Sequence, residues 1–295
     1  MRDAPERCAP ASERRGDPLL ATAAPATRFV LVEQPGAWGR NALRDSRIAA
    51  PVLARLLERC HAADARLLLV RRAHRDPTPS RAFAVADARP GREAIAWGRF
   101  AEDAELADID PTRFPAAPSA SPVFLVCTHG RRDACCAARG WPVAVALGDA
   151  FPEQTWQCSH VGGDRFAANV VALPHGVYYG RVAPSAAAAL AQRHVEGRVT
   201  LSSFRGRSCF PPSIQAAQHF ARLELAVEEI DALAPVGTQQ IGVDETAVTL
   251  AHRDDIVTVV VREGESEPTP RLTCGATIPT RMRVWDLVGL TTESR

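Results

Sequence analysis

The stretch "PVFLVCTHGRRDACCAARGWPVAVALGDAF" (residues 122–151) decides how this chain folds. It opens on an apolar run that ends at Cys127, which reads as a buried strand. A loop containing Arg, His and Gly follows. From Asp133 to Phe151 the pattern is mostly helical, with Pro142 expected to mark a break or a second start. Strand, loop and helix in that order are the opening of an α/β unit.

The unit continues downstream. "TWQCSH" (155–160) reads as a strand, "RFAANVVALP" (165–174) and "GVYYGRV" (176–182) as a hairpin pair. "PSAAAALAQRHVEG" (184–197) is a helix with Pro184 at its start and Gly197 as its cap. A β–α–β–β–β–α order, or one close to it, suits a thioredoxin-like sheet. Upstream the alternation is similar. "TRFVLVEQP" (27–35) is a strand and "DSRIAAPVLARLLERCHAADA" (45–65) an amphipathic helix that Asp45 or Ser46 is expected to cap. "RLLLVRR" (66–72), "RAFAVADARP" and "EAIAWGRF" are further strands. The shared order suggests a distant duplication. A Pro-rich segment, "IDPTRFPAAPSASP" (109–122), marks a boundary. A helix over roughly 211–233 and a strand-rich remainder complete the chain. The expected organisation is a mobile arm (1–26), an α/β unit (27–110), a thioredoxin-like domain (120–235) and a strand-rich C-terminal region (236–295). The fold class is α/β.

The 295 residues are 46% hydrophobic and 23% charged, enough to bury a sizeable core. A net charge of +1 offers no global field for nucleic acid or a membrane surface, so neither partner is expected. No uninterrupted apolar run is long enough to span a bilayer. The charged, Pro- and Ala-rich start lacks the apolar core of a signal peptide. A cytoplasmic location is expected, and there eight cysteines argue for metal or redox chemistry over structural disulfides.

Three of those cysteines, Cys127, Cys135 and Cys136, fall within ten residues, beside His129. A strand-to-helix turn exposes side chains and aims free N–H groups at whatever binds there. Arg131, Arg132 and the helix start favour thiolates. A Cys-loop phosphatase needs Arg where Asp133 stands, and a thioredoxin-type dithiol needs two residues between its cysteines. Zinc and an iron–sulfur cluster each want four ligands. A second stretch, "WQCSHVGGDRFAAN" (156–169), adds candidates. Cys158 and His160 alternate with Gln157 and Ser159, so they face one side of a strand. Gly162 and Gly163 permit a tight turn before Asp164 and Arg165.

The two stretches together resemble the sucrase/ferredoxin-like family, thioredoxin-like ferredoxins that include the fungal actin-patch-distribution proteins. "LATAAPATRFVLVEQPGAWGRNAL", "VCTHGRRDACCAARG", "HVGGDRFAANVVALPHGVYYGRV" and "SSFRGRSC" carry the resemblance. It implies a 2Fe-2S cluster held by two Cys and two His. The pattern is Cys, eight residues, Cys, then His-x-Gly-Gly-His. By position Cys127, Cys136 and His160 match three ligands, and the fourth falls on Asp164. Cys158 and Cys135 are the thiol substitutes for that departure. A neutral imidazole on one iron raises the potential and can couple electron transfer to proton loss. Arg131, Arg132 and Arg165 would offset the cluster's charge.

The resemblance therefore implies an electron carrier or redox sensor with a reductase or acceptor protein as partner, and a sheet edge able to support a homodimer. Two further readings compete. One is a non-catalytic zinc or thiol module. The other is a sucrose-cleaving hydrolase, which needs a carboxylate pair across a sugar site; Asp133, Asp149 and Asp164 do not form a convincing one. His129 is expected to be solvent-facing or to stand behind a ligand. Arg205 and Arg207, in "SFRGRSCFPP" (203–212), read as a solvated turn or an anion site. Cys8, Cys60, Cys209 and Cys274 read as structural.

Overall fold

A computed structural model describes residues 6–72 and 80–294. The arm is structured from its first described residues. Helix α1 (Cys8–Arg15) buries Cys8, Ala9, Ala11 and Ser12 and stops at Gly16, whose φ of 69° closes the helix. The expectation of a mobile arm fails here because small side chains make one face of α1 flat enough to pack closely.

The first α/β half comprises β1 (Arg28–Glu33), α2 (Ala50–Ala62), β2 (Ala65–Arg71), β3 (Arg81–Asp87) and β4 (Ala94–Phe100). The second comprises β5 (Val123–Cys127), α3 (Ala134–Ala150), β6 (Thr155–Cys158), β7 (Val170–Leu173), β8 (Val177–Tyr179) and α4 (Pro184–Val195). Then come β9 (Phe204–Arg207), α5 (Pro212–Leu225) and four longer strands, β10 (Ala234–Gln240), β11 (Glu245–His252), β12 (Asp255–Glu265) and β13 (Arg283–Ser294).

Each half has the same strand order. In the first it is β2-β1-β3-β4, in the second β6-β5-β7-β8. In each, the first two strands are parallel and the next two antiparallel. This is the order of a thioredoxin-like sheet. The halves join into one nine-stranded sheet through antiparallel pairing of β2 with β6, at Val70↔Cys158 and Arg71↔Gln157. The duplication read from the sequence is thus repeated in the topology, with like strands meeting across a pseudo-two-fold.

Alternation along the strands separates two faces. Val30, Val32, Leu67 and Leu69 pack under α2 through Leu53, Leu56 and Cys60. Phe124, Val126 and Val170 pack under α3 and α4 through Val143, Leu147 and Leu190. The intervening residues Leu31, Leu68, Val70, Leu125, Cys127 and Cys158 form a core shared by both halves. Burying each such aliphatic side chain contributes about 1.5–3 kcal/mol. The strand-rich C-terminal region is a separate antiparallel sheet, β10-β11-β12-β13. Ile214, Ala217 and Ala221 of α5 pack on Val248, Leu250, Val257 and Val259 of that sheet.

Two local expectations change. Neither Asp45 nor Ser46 caps α2, which starts five residues later with Pro51 in its first turn. Asp45 instead accepts the Asn41 N–H at 2.8 Å. Pro142 does not break α3. It is exposed, as is Ala138 one turn earlier, so the carbonyl that proline leaves without a donor lies on the solvent side of the helix.

Buried His194 on α4 accepts from or donates to the Tyr179 hydroxyl through Nδ1 at 3.0 Å. Burial, helped by His175 and Arg207, pushes its pKa from 6.5 down to about 3. The unfolded chain takes up this proton as pH falls below 6.5, while the folded chain refuses it until about pH 3. His194 therefore withdraws stability across that window, at about 1.4 kcal/mol per pH unit. In urea melts near neutral pH and about 1.5 units below 6.5, His194→Asn should show a pH-linked loss about 2 kcal/mol smaller than the wild type. Equal losses would refute the assignment.

Candidate metal centre

Strand β5, between β6 and β7, ends on Cys127, whose N–H is tied to the Asn169 carbonyl at 3.0 Å. The turn to α3 is closed by Asp133, whose Oδ1 accepts the Cys135 N–H at 2.8 Å as the helix N-cap. Helix α3 then crosses the end of β5 so closely that a Cβ on Gly140 would lie 2.1 Å from the Cys127 carbonyl oxygen. Glycine there lets the first turn of the helix stand beside Cys127. Consecutive helical residues point about 100° apart. Cys136 accordingly turns toward Cys127 and Cys135 turns away.

The second loop leaves β6, which runs parallel to β5 with Cys158 opposite Cys127. Gly162 and Gly163 take φ values of 90° and 77°. The guanidinium of Arg205 fills the space beside them. Its Nη1 donates to the Gly162 carbonyl at 3.1 Å and to Asn169 Oδ1 at 2.7 Å, and Asn169 Nδ2 donates back to the Gly163 carbonyl at 2.9 Å. A 3-10 turn over Asp164–Phe166 follows and sets Asp164 against His160.

Ligand atoms of Cys127, Cys136 and His160 lie within 4.8 Å of one another. Cys136 Sγ is 4.0 Å from His160 Nδ1 and 3.5 Å from Asp164 Oδ1, and that same oxygen is 3.0 Å from His160 Nδ1. The cysteines are buried, whereas the His160 side chain keeps 23% of its surface exposed. The hydrogen bond from Cys136 holds the Cys127 thiol well below its ordinary pKa of 9.0, with His160 assisting and burial opposing. Cys136 is pushed up by sharing its proton with Cys127 and by burial. Burial raises Asp164 against the pull of His160. The pocket thus combines soft sulfur donors, an imidazole and a carboxylate, a set able to hold a metal.

The sucrase/ferredoxin-like family profile matches residues 19–206. The chain belongs to the sucrase/ferredoxin-like family. Neither a curated protein nor a solved structure gives a significant match. The region characteristic of this sucrase/ferredoxin-like protein spans both α/β halves and β9, and it contains Cys127, Cys136, His160 and Asp164. Helices α1 and α5 lie wholly outside it, as does the second sheet.

Several other residues of the family member sit elsewhere than their sequence context suggests. Cys158 is fully buried in the shared core, is raised well above 9.0 by burial, and is not in the 4.8 Å group. Cys135 is turned to α1, where its sulfur accepts the Ala9 N–H at 3.5 Å. His129 is buried rather than solvent-facing, with Nε2 2.6 Å from the Gly39 carbonyl and its ring edge-on to Trp38. Arg205 and Arg207 are not a solvated turn: both are 2% exposed on β9. Arg207 pairs with Glu93 at 2.7 Å and Asp231 at 2.9 Å. Cys8 and Cys274, which the sequence suggests are structural, meet Cys135 and Asp133 in a second group within 4.8 Å. No sequence spacing announces that meeting.

A cleft of about 1190 Å³ opens beside the junction of the halves, lined by Trp97, Trp141 and Trp156. It includes none of the metal-centre residues. Its carboxylates are Glu33, Asp149 and Glu153, and Glu33 is engaged by the Ala82 N–H at 2.8 Å. Among the described residues no helix is long and apolar enough to cross a membrane.

Proposed function

We propose that this protein binds one 2Fe-2S cluster and serves in electron transfer or redox sensing. The observation that carries the reading is the convergence of Cys127, Cys136 and His160, from two adjoining loops, within 4.8 Å inside the family-matched region. Cys127 and Cys136 would hold one iron, and His160 with Asp164 the other. Such a cluster, when bound, supplies one-electron transfer at a potential set by its ligands and their surroundings.

The chain's own groups suit that task. Cys127 is already disposed to be a thiolate, and Asp164 stands 3.0 Å from His160, where it can ligate directly or fix the imidazole. Burial of both cysteines keeps solvent from the sulfur side. The partly exposed edge of His160 is the side from which a reductase or acceptor protein would exchange electrons. A zinc ion is the second reading, because two thiolates, an imidazole and a carboxylate also make a zinc donor set.

One experiment separates them. Protein purified anaerobically and reconstituted should contain iron and acid-labile sulfide in equal amounts, with visible absorption that bleaches on reduction. Zinc bound through Cys127 and Cys136, without sulfide, would establish the second reading. A colourless, sulfide-free protein after reconstitution would overturn the first.

A further inference from the structure

We propose that Cys8, Cys135, Cys274 and Asp133 form a second metal site, distinct from the Cys127 centre, that takes a single zinc ion. The sulfurs of Cys135 and Cys274 are 3.5 Å apart, as are those of Cys274 and Cys8. Cys8 Sγ lies 3.6 and 3.7 Å from the two oxygens of Asp133. A tetrahedron with metal–sulfur bonds of about 2.3 Å and a metal–oxygen bond of about 2.0 Å has edges of about 3.8 Å between sulfurs and about 3.5 Å from sulfur to oxygen. The observed edges fall within a few tenths of an ångström of these.

The surroundings favour bound anionic ligands. Backbone N–H groups donate to two of the sulfurs, Ala9 to Cys135 and Cys8 to Cys274, each at 3.5 Å. These donors come from the first turn of α1, and Cys135 occupies the first turn of α3, so two helix N-termini converge on the site. The Asp133 carboxylate is oriented by the Cys135 N–H at 2.8 Å and the Cys274 N–H at 2.7 Å, leaving each oxygen a free lone pair. Arg139, one turn along α3 and paired with Glu13, adds positive charge nearby.

Neither a disulfide nor a metal-free thiol cluster fits as well. A disulfide needs sulfurs about 2.05 Å apart and would strand the third thiol. Asp133 caps α3 with or without an ion, but only a metal gives the three sulfurs and the carboxylate's remaining lone pairs one common partner. Zinc binding here is a proton exchange: each thiol still protonated releases its proton to solvent as its sulfur takes the ion, and no electron moves. The consequence is mechanical. The ion would clip α1 and the loop before β13 onto the start of α3, the turn that also presents Cys136. Because α1 packs on the Asp164–Phe166 turn, the clip would steady both loops of the first centre.

The test uses the full-length chain carrying Cys127→Ser, so that the first centre does not compete and its failure is read separately. This protein should bind about one zinc per chain. It should also take cobalt with the thiolate charge-transfer and d–d bands of a tetrahedral site. Adding Cys8→Ser and Cys274→Ser should lower zinc content at least tenfold, while circular dichroism reports whether the variant is folded. The cobalt titration of the Cys127→Ser parent decides the matter even where the triple variant does not fold. A folded, fully reduced parent that takes neither metal would overturn the proposal. So would undiminished zinc in a folded triple variant, or a metal-free preparation with a disulfide among the three cysteines.

Discussion

Cys127→Ser is expected to come out of iron and sulfide reconstitution colourless, with iron reduced at least tenfold relative to the wild type. The side chain stands at the end of β5, 1% exposed, with its sulfur among Cys136 and His160. A serine hydroxyl is a harder donor that keeps its proton at neutral pH, a poor match for iron in a sulfide-bridged cluster. Cys136→Ser should behave alike. Cys158→Ser should retain the chromophore, because that sulfur lies outside the converging group. Asp164→Ala carries the information on the fourth ligand. Loss of iron on the scale of Cys127→Ser makes Asp164 a ligand, and retention with a shifted potential makes it the partner of His160. A Cys127→Ser protein that keeps its full iron and sulfide would remove the basis for the proposed function.

Arg205→Met should destabilise the fold by about 3–5 kcal/mol, at about 1–3 kcal/mol for each buried acceptor left without a donor, read from urea or thermal melts. Arg205 is a fully buried guanidinium whose pKa burial lowers to about 10, so it remains charged at neutral pH. It bonds the Thr22 carbonyl at 2.6 Å, Asn169 Oδ1 at 2.7 Å and the Gly162 carbonyl at 3.1 Å. Methionine fills the stem's volume but leaves those acceptors buried without a donor. Gly163→Ala attacks the same joint from the other side: its Cβ would lie 2.5 Å from Arg205 Nη2, at a φ of 77° that disfavours any side chain. Exposed Arg131→Met is the control and should change stability by less than about 0.5 kcal/mol. An Arg205→Met loss no larger than the control's would show that the loop does not depend on this residue.

Much of the architecture is legible in the residues. The apolar runs ending at Arg71, Cys127 and Cys158 are strands, and the segments after Asp133 and Pro184 are helices. Periodicity is local, so it survives without knowledge of the rest of the fold. The Cys127–Cys136 spacing and the "HVGGD" turn are also legible, since both lie on adjacent elements of one unit. The departures share a cause. Arg205, Arg207 and His129 look exposed or solvated in the sequence because charge and polarity usually stay in water. In the fold each finds its bonds in backbone carbonyls or carboxylates that come from other parts of the chain.

The sequence by itself determined the α/β class and the doubled β–α–β–β order, because each depends on neighbours a few residues apart, and its resemblance to the family pointed to Cys127, Cys136 and His160. Only the tertiary structure decided that the two halves fuse through β2 and β6 into one sheet, and that the adjacent thiols of Cys135 and Cys136 fall in different groups of candidate ligands. Helix geometry sends the neighbours apart. What each then meets, Cys127 for one and Cys8 with Cys274 for the other, depends on packing between segments up to 266 residues distant.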